Sequence, residues 1–140
     1  VLAHVLDAPL ADNDVPVVRA ICDEFPFVDG LVPRGLDDLR SCLRNCDLLV
    51  GSRMHACLNS LAAGTPAIAW AYSRKFAPLL NDLGWDHVVD LRTSQDPAAD
   101  TIRLLSSRDT YASMAREIEI LNSKANRRFE DLVTKMADSE

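Results

Sequence analysis

The sequence predicts an α/β fold, a Rossmann-like parallel sheet with helices on both faces. Three observations predict it. Short apolar runs alternate with helical periodicities of about ten residues, the pattern of strand–helix–strand units. Two of the runs, Asp47–Gly51 and Pro66–Trp70, are nearly unbroken by polar residues, as strands buried on both faces are. Glycines stand where two of the helical stretches stop, at Gly64 and Gly84. The 140 residues match the usual length of one domain.

Each element follows in order. Val1–Leu6 is an apolar run interrupted by His4 and reads as a strand ending in the polar turn Ala11-Asp12-Asn13-Asp14. Asp14 then reads as an N-cap, with Pro16 in the first turn and Val17, Val18 and Ile21 as apolar positions. Phe25–Val28 reads as a second strand, closed by Asp29-Gly30. Leu36, Leu39 and Leu43 have helical spacing, with Arg40 and Arg44 on other faces. Asp47–Gly51 is the next strand, Met54–Ala63 a helix, Pro66–Trp70 a strand, Lys75–Leu83 a short helix and His87–Leu91 a fifth strand. Beyond it the pattern is all helical. Tyr111, Met114, Ile118, Leu121, Ala125, Phe129, Leu132 and Met136 form one stripe along Arg108–Met136. That helix is longer than the sheet it can cover. Residues 1–107 are therefore read as the Rossmann-like domain, and 108–140 as a helix that packs across it or onto a further domain.

Composition removes several functions. Fifteen basic against twenty-one acidic residues give a net charge of −6, with no basic stripe. That lacks the electrostatic footprint of a nucleic-acid binder and disfavours adhesion to an anionic membrane. No apolar run approaches the roughly 18 residues of a transmembrane helix, and no signal peptide is legible. The reading is a cytoplasmic protein, or one peripheral at the inner membrane face. Cys22, Cys42, Cys46 and Cys57 contain no C-x-x-C pair, and no ligand set for a metal is expected. They read as small buried hydrophobes in a reducing compartment.

Chemistry is expected where strands end and helices begin, because ligands of open α/β sheets bind at the carboxyl ends of the strands. Gly51-Ser52-Arg53-Met54-His55 is such a place. Amides at that helix start can hold an anion, Ser52 can cap or donate, and Arg53 offers a planar fork matched to phosphate or carboxylate. His55, in the first turn, is the acid–base candidate. Tyr72-Ser73-Arg74-Lys75 occupies the adjacent turn. Two cations there oppose the helix macrodipole, which a bound anion would justify. Asp90 ends the fifth strand, and His4 lies near the carboxyl side of the first. A plain strand-to-helix turn, with these side chains solvated, is the competing reading of each cluster.

Three segments together resemble the polysaccharide pyruvyl transferase family: Cys46-Asp47-Leu48-Leu49-Val50-Gly51-Ser52-Arg53-Met54-His55, then Ser60-Leu61-Ala62-Ala63-Gly64-Thr65-Pro66-Ala67-Ile68-Ala69, then Tyr72-x-x-Lys75, Leu83-Gly84 and Asp90. Ala3-His4-Val5 is similar to the family's Pro-His-Val, with alanine in place of proline, and Asn13-Asp14 to its Asn-Asp. The resemblance implies the C-terminal, donor-binding half of a GT-B-like enzyme. It implies transfer of a pyruvate ketal from phosphoenolpyruvate to a sugar of a cell-surface polysaccharide or its lipid-linked precursor. It also implies a further N-terminal domain of the same protein, without which this piece would be inactive. His55 and Arg53 become the expected catalytic residues, and Ser52, Tyr72, Lys75, His4 and Asp90 the expected substrate contacts. Phosphoenolpyruvate is the donor substrate, and no cofactor is expected. On this alignment Val1–Leu6 lacks the strand that would bridge it to Asp47–Gly51. The expectation is a gap in strand order there, or a direct pairing.

Two other readings remain. A GT-B glycosyltransferase domain would bind a nucleotide sugar through the same turn, and a carboxylate on the following helix would grip the ribose. Met54–Ala63 contains none. A non-catalytic domain would use the long C-terminal stripe as its interface, and its Arg53, His55 and Lys75 would not share one pocket.

Overall fold

A computed structural model describes residues 1–6, 13–106 and 108–137 of the chain, without the side chains of 108, 129 and 132–137. Part of the expected turn at 11–14, and the stripe positions Phe129, Leu132 and Met136, lie outside what is described. The elements are α1 (Val15–Glu24), α2 (Leu36–Arg44), β1 (Leu49–Gly51), α3 (Met54–Ala63), β2 (Ala67–Ala71), α4 (Phe76–Leu83), β3 (Val88–Asp90), α5 (Pro97–Leu105) and α6 (Arg108–Ala137). The chain forms two compact units, Val1–Asn45 and Cys46–Glu140.

The second unit is the α/β fold that the sequence predicts. Its open sheet has the order β1-β2-β3 with both pairings parallel, as strands joined by crossover helices require. Leu49, Val50 and Gly51 pair with Ala67, Ile68 and Ala69; Ala69, Trp70 and Ala71 pair with Val88, Val89 and Asp90. β2 is the central strand, and Ala67, Ile68 and Ala69 are fully buried. Around it close Leu61 and Cys57 of α3, Phe76 and Leu80 of α4, Trp85, and Met114 and Ile118 of α6. The indole nitrogen of Trp85 donates to the Ala67 carbonyl at 2.8 Å, satisfying a β2 acceptor just before β3 begins. Gly64 and Gly84 end α3 and α4 at φ of 87° and 78°, the left-handed turn that a side chain would strain.

The first part of α6 is fastened to this unit. Tyr111 Oη donates to the Asp47 carbonyl at 2.9 Å, and Asn122 Nδ2 to the Leu61 carbonyl at 3.3 Å. His87 Nε2 lies 2.8 Å from Glu117 Oε2. Among the described residues no strand pairs with the outer edge of β1.

The first unit departs from the sequence reading. Val1–Leu6 is not a strand: a single parallel bridge joins Leu2 to Leu31. The Asp14 carboxylate accepts the backbone amides of His4 and Val5, at 3.0 and 2.9 Å, which a strand ladder would have used. Asp14 sits at the N-cap position of α1 without capping it; Asn13 Oδ1 takes the Val15 amide instead, at 2.9 Å. Phe25–Val28 is a turn, closed by Val28 N donating to the Phe25 carbonyl at 2.9 Å. Pro26 has no amide to give a ladder. The extended pairing falls at Leu31, whose amide donates to the Val1 carbonyl and whose carbonyl accepts from Ala3.

Candidate functional site

Parallel strands put the starts of their following helices on one edge of the sheet, so β1, β2 and β3 deliver their next turns side by side. The β1–α3 turn carries Ser52, Arg53 and His55. Gly51 ends the strand, Arg53 is the N-cap residue in extended conformation, and α3 starts at Met54. The Arg53 side chain does not cap this helix, whose first amides lie at the carboxyl edge. Ser52 and His55 are exposed and Arg53 is half-buried. The α3 start is held from beneath, where Cys57 Sγ lies 3.5 Å from the Gly51 carbonyl. Burial pushes the Cys57 thiol up to about 11, so it stays protonated and structural.

The β2–α4 turn carries Tyr72 and Lys75. Lys75 is the N-cap residue of α4, again with no side-chain cap, and Arg74 precedes it; both are exposed. Tyr72 is 57% exposed and its ring rests edge-on against buried Phe76, centroids 5.4 Å apart. The ring is thus braced from one side by Phe76.

Asp90 ends β3. Its Oδ1 accepts Arg92 Nε at 2.8 Å and the Arg92 amide at 2.9 Å. These bonds hold the Asp90 carboxyl below its ordinary range, so it is ionised. Ser52, Arg53, His55, Tyr72, Lys75 and Asp90 therefore share the carboxyl edge of one sheet. β1 and β3 are two strand spacings apart, about 10 Å. His4 belongs to the first unit, where its amide is engaged by Asp14.

Sequence reasoning missed a cavity of about 410 Å³ beside β3. Its wall includes Asp90, Thr93, Ser94, Asp100, Arg103 and Leu104, and none of Ser52, Arg53, His55, Tyr72 or Lys75. Ser94 Oγ donates to Asp100 Oδ2 at 2.6 Å, and Arg103 to Asp100 Oδ1 at 2.8 Å. The signal available was Asp96-Pro97, a capped helix start placing Asp100 and Arg103 in register with the β3 turn. Also missed was the His87–Glu117 pair, which Ser113 Oγ extends by donating to Glu117 Oε1 at 2.6 Å.

The cysteine reading needs correction. No disulfide joins the four cysteines, and only Cys57 is buried; Cys46 is exposed and Cys22 and Cys42 are half-buried. Among the described residues no group of three potential metal ligands converges, and no helix is long and apolar enough to cross a membrane.

Residues 10–74 match the family model of polysaccharide pyruvyl transferases. The match spans 65 of the 140 residues, and over that stretch the chain is similar to the family. It takes in the whole β1–α3 turn and Tyr72, and stops one residue before Lys75. No curated protein and no solved structure matches the chain.

Proposed function

We propose that this chain is the donor-binding part of a pyruvyl transferase, with phosphoenolpyruvate as donor and two hydroxyls of one sugar as acceptor. The observation that carries the reading is the carboxyl edge of the sheet. There the α3 start and the cations of two neighbouring turns lie on one edge of the sheet, and most of these residues fall within the segment that matches the family. Phosphoenolpyruvate needs that combination, because it carries a phosphate and a carboxylate three carbons long in all. The first amides of α3 and the Arg53 guanidinium suit the phosphate, and Lys75 suits the carboxylate. Ser52 and Tyr72 supply hydroxyls at the same edge, and Asp90 is the further substrate contact there.

The chemistry closes without a cofactor. The methylene carbon takes a proton and becomes a methyl group, leaving an oxocarbenium-like centre where the enol phosphate is attached. One sugar hydroxyl attacks that carbon and loses its proton. Phosphate then leaves with its bonding electrons and the second hydroxyl closes the cyclic ketal. Each step needs a proton given or taken near the reacting carbon, and exposed His55 is the acid–base group for it. Fixed cations around the departing phosphate stabilise the charge that grows on it. A second, GT-B-like domain of the same protein completes the cleft in this reading.

Thermal-shift titration tests it. Phosphoenolpyruvate is expected to raise the melting temperature, since a ligand at about 100 times its Kd adds about 2.7 kcal/mol. Stabilisation by UDP-, GDP- or CMP-sugars with none from phosphoenolpyruvate would overturn the reading in favour of a nucleotide-sugar transferase.

A further inference from the structure

We propose that the cavity beside β3 binds a neutral polyhydroxyl ring, one pyranose unit, at the side of the sheet edge away from Arg53. Its volume of about 410 Å³ lies within the range of small-ligand sites, about 300–1,000 Å³. The lining decides the chemistry. Asp90 and Asp100 line it, each hydrogen-bonded to a guanidinium, so no unmatched cation is left to hold a phosphate or carboxylate. The nearby α5 start offers an anion nothing, because Asp96 Oδ1 already takes the Ala99 amide at 2.9 Å. A cation is disfavoured in turn. Arg92 holds Asp90 and Arg103 holds Asp100, so each carboxylate is already matched by a guanidinium.

What remains is hydrogen-bonding capacity without net charge. A carboxylate has about four lone-pair sites. Asp100 accepts from Ser94 and Arg103 and has lone pairs left for further hydroxyls. Ser94 Oγ donates its hydrogen bond to Asp100 and presents its lone pairs as acceptors. Arg103 is largely exposed and spends one N–H on Asp100. Acceptors and donors a few ångströms apart are what vicinal diols bind. The half-buried side chains of Val88 and Leu104 supply the apolar surface against which the C–H face of a ring packs.

The assignment rests on the pyruvyl-transfer reading only in taking this ring as part of the acceptor glycan; the binding chemistry stands by itself. On that reading the donor charges sit at β1 and β2 and the acceptor at β3, about one sugar's length away.

Amide-resolved NMR of the 140-residue chain, without phosphoenolpyruvate, tests the cavity. The probes are the methyl glycosides of glucose, galactose and mannose, free N-acetylglucosamine, and sodium phosphate. At least one sugar is expected to shift the amides of residues 93–94 and 100–104 saturably. Asp100→Asn and, independently, Ser94→Ala are each expected to weaken that binding about tenfold, the scale of one charge-assisted hydrogen bond. Unchanged spectra elsewhere establish that each variant is folded. The proposal is overturned if no sugar shifts these amides, if neither variant weakens the binding, or if phosphate occupies the same residues. Such a failure leaves the donor reading standing, because phosphoenolpyruvate reports at residues 52–56 instead.

Discussion

Replacing Trp85 by phenylalanine is expected to loosen the whole sheet edge on which the site is built. Trp85 is fully buried in the loop between α4 and β3, and its indole N–H is the partner of the Ala67 carbonyl on the central strand. Phenylalanine keeps most of the apolar contact but cannot donate. An unpaired buried carbonyl costs about 1–3 kcal/mol. The smaller ring adds about 1–2 kcal/mol of lost packing and residual cavity. The sum, about 2–5 kcal/mol, is a large share of the roughly 5–15 kcal/mol that holds an ordinary domain. Equilibrium urea unfolding measures it, with Trp70 left as the fluorophore. The midpoint should fall with little change in slope. A loss below about 1 kcal/mol would refute the argument that this hydrogen bond closes the β2 ladder.

Other expectations follow from the same structure. Gly64→Ala meets no steric obstacle at the new methyl group, so its cost should be only the strain of the left-handed turn, about 1 kcal/mol by denaturant midpoint. A thiol reagent followed by mass spectrometry should label exposed Cys46 quickly in the native chain and Cys57 only on unfolding, because burial raises the Cys57 thiol to about 11. The Glu117 carboxyl is lowered, first by the Ser113 hydroxyl and also by His87. A lowered carboxyl stabilises the fold above its unfolded pKa, and that contribution is lost as pH falls through the lower folded value. Glu117→Gln should therefore flatten the acid side of the stability–pH profile, which melting curves between pH 6 and the acid limb would show. Arg53→Lys should weaken phosphoenolpyruvate binding about tenfold, since an ammonium cannot reproduce the planar two-pronged contact.

How much of this was legible in the sequence depends on how local each signal is. β1, β2 and α3 were readable because their apolar runs are continuous and their ends are marked by Gly51 and Gly64. The turn bearing Ser52, Arg53 and His55 followed from those boundaries. The first unit was not readable by the same signs. The apolar run at Val1–Leu6 suggests a strand, but whether it pairs depends on Asp14, a distant carboxylate that takes two of its amides. Phe25–Val28 has strand-like side chains and a proline that removes a ladder donor, and the turn wins. Pairings across about thirty residues, such as His87 with Glu117 and Trp70 with Thr101, leave no periodic trace at all. The cavity beside β3 is of that kind, since it exists only once α5 has folded against the turn after Asp90.

On the proposed function, the β1–α3 turn and the β2–α4 turn together hold phosphoenolpyruvate. Amide-resolved NMR of the chain titrated with phosphoenolpyruvate reads this out residue by residue. Saturable shifts are expected to concentrate at Ser52–Ala56 and Tyr72–Phe76, weakened by Arg53→Lys. Shifts confined to other residues, or the same amides responding to a nucleotide sugar and not to phosphoenolpyruvate, would contradict it.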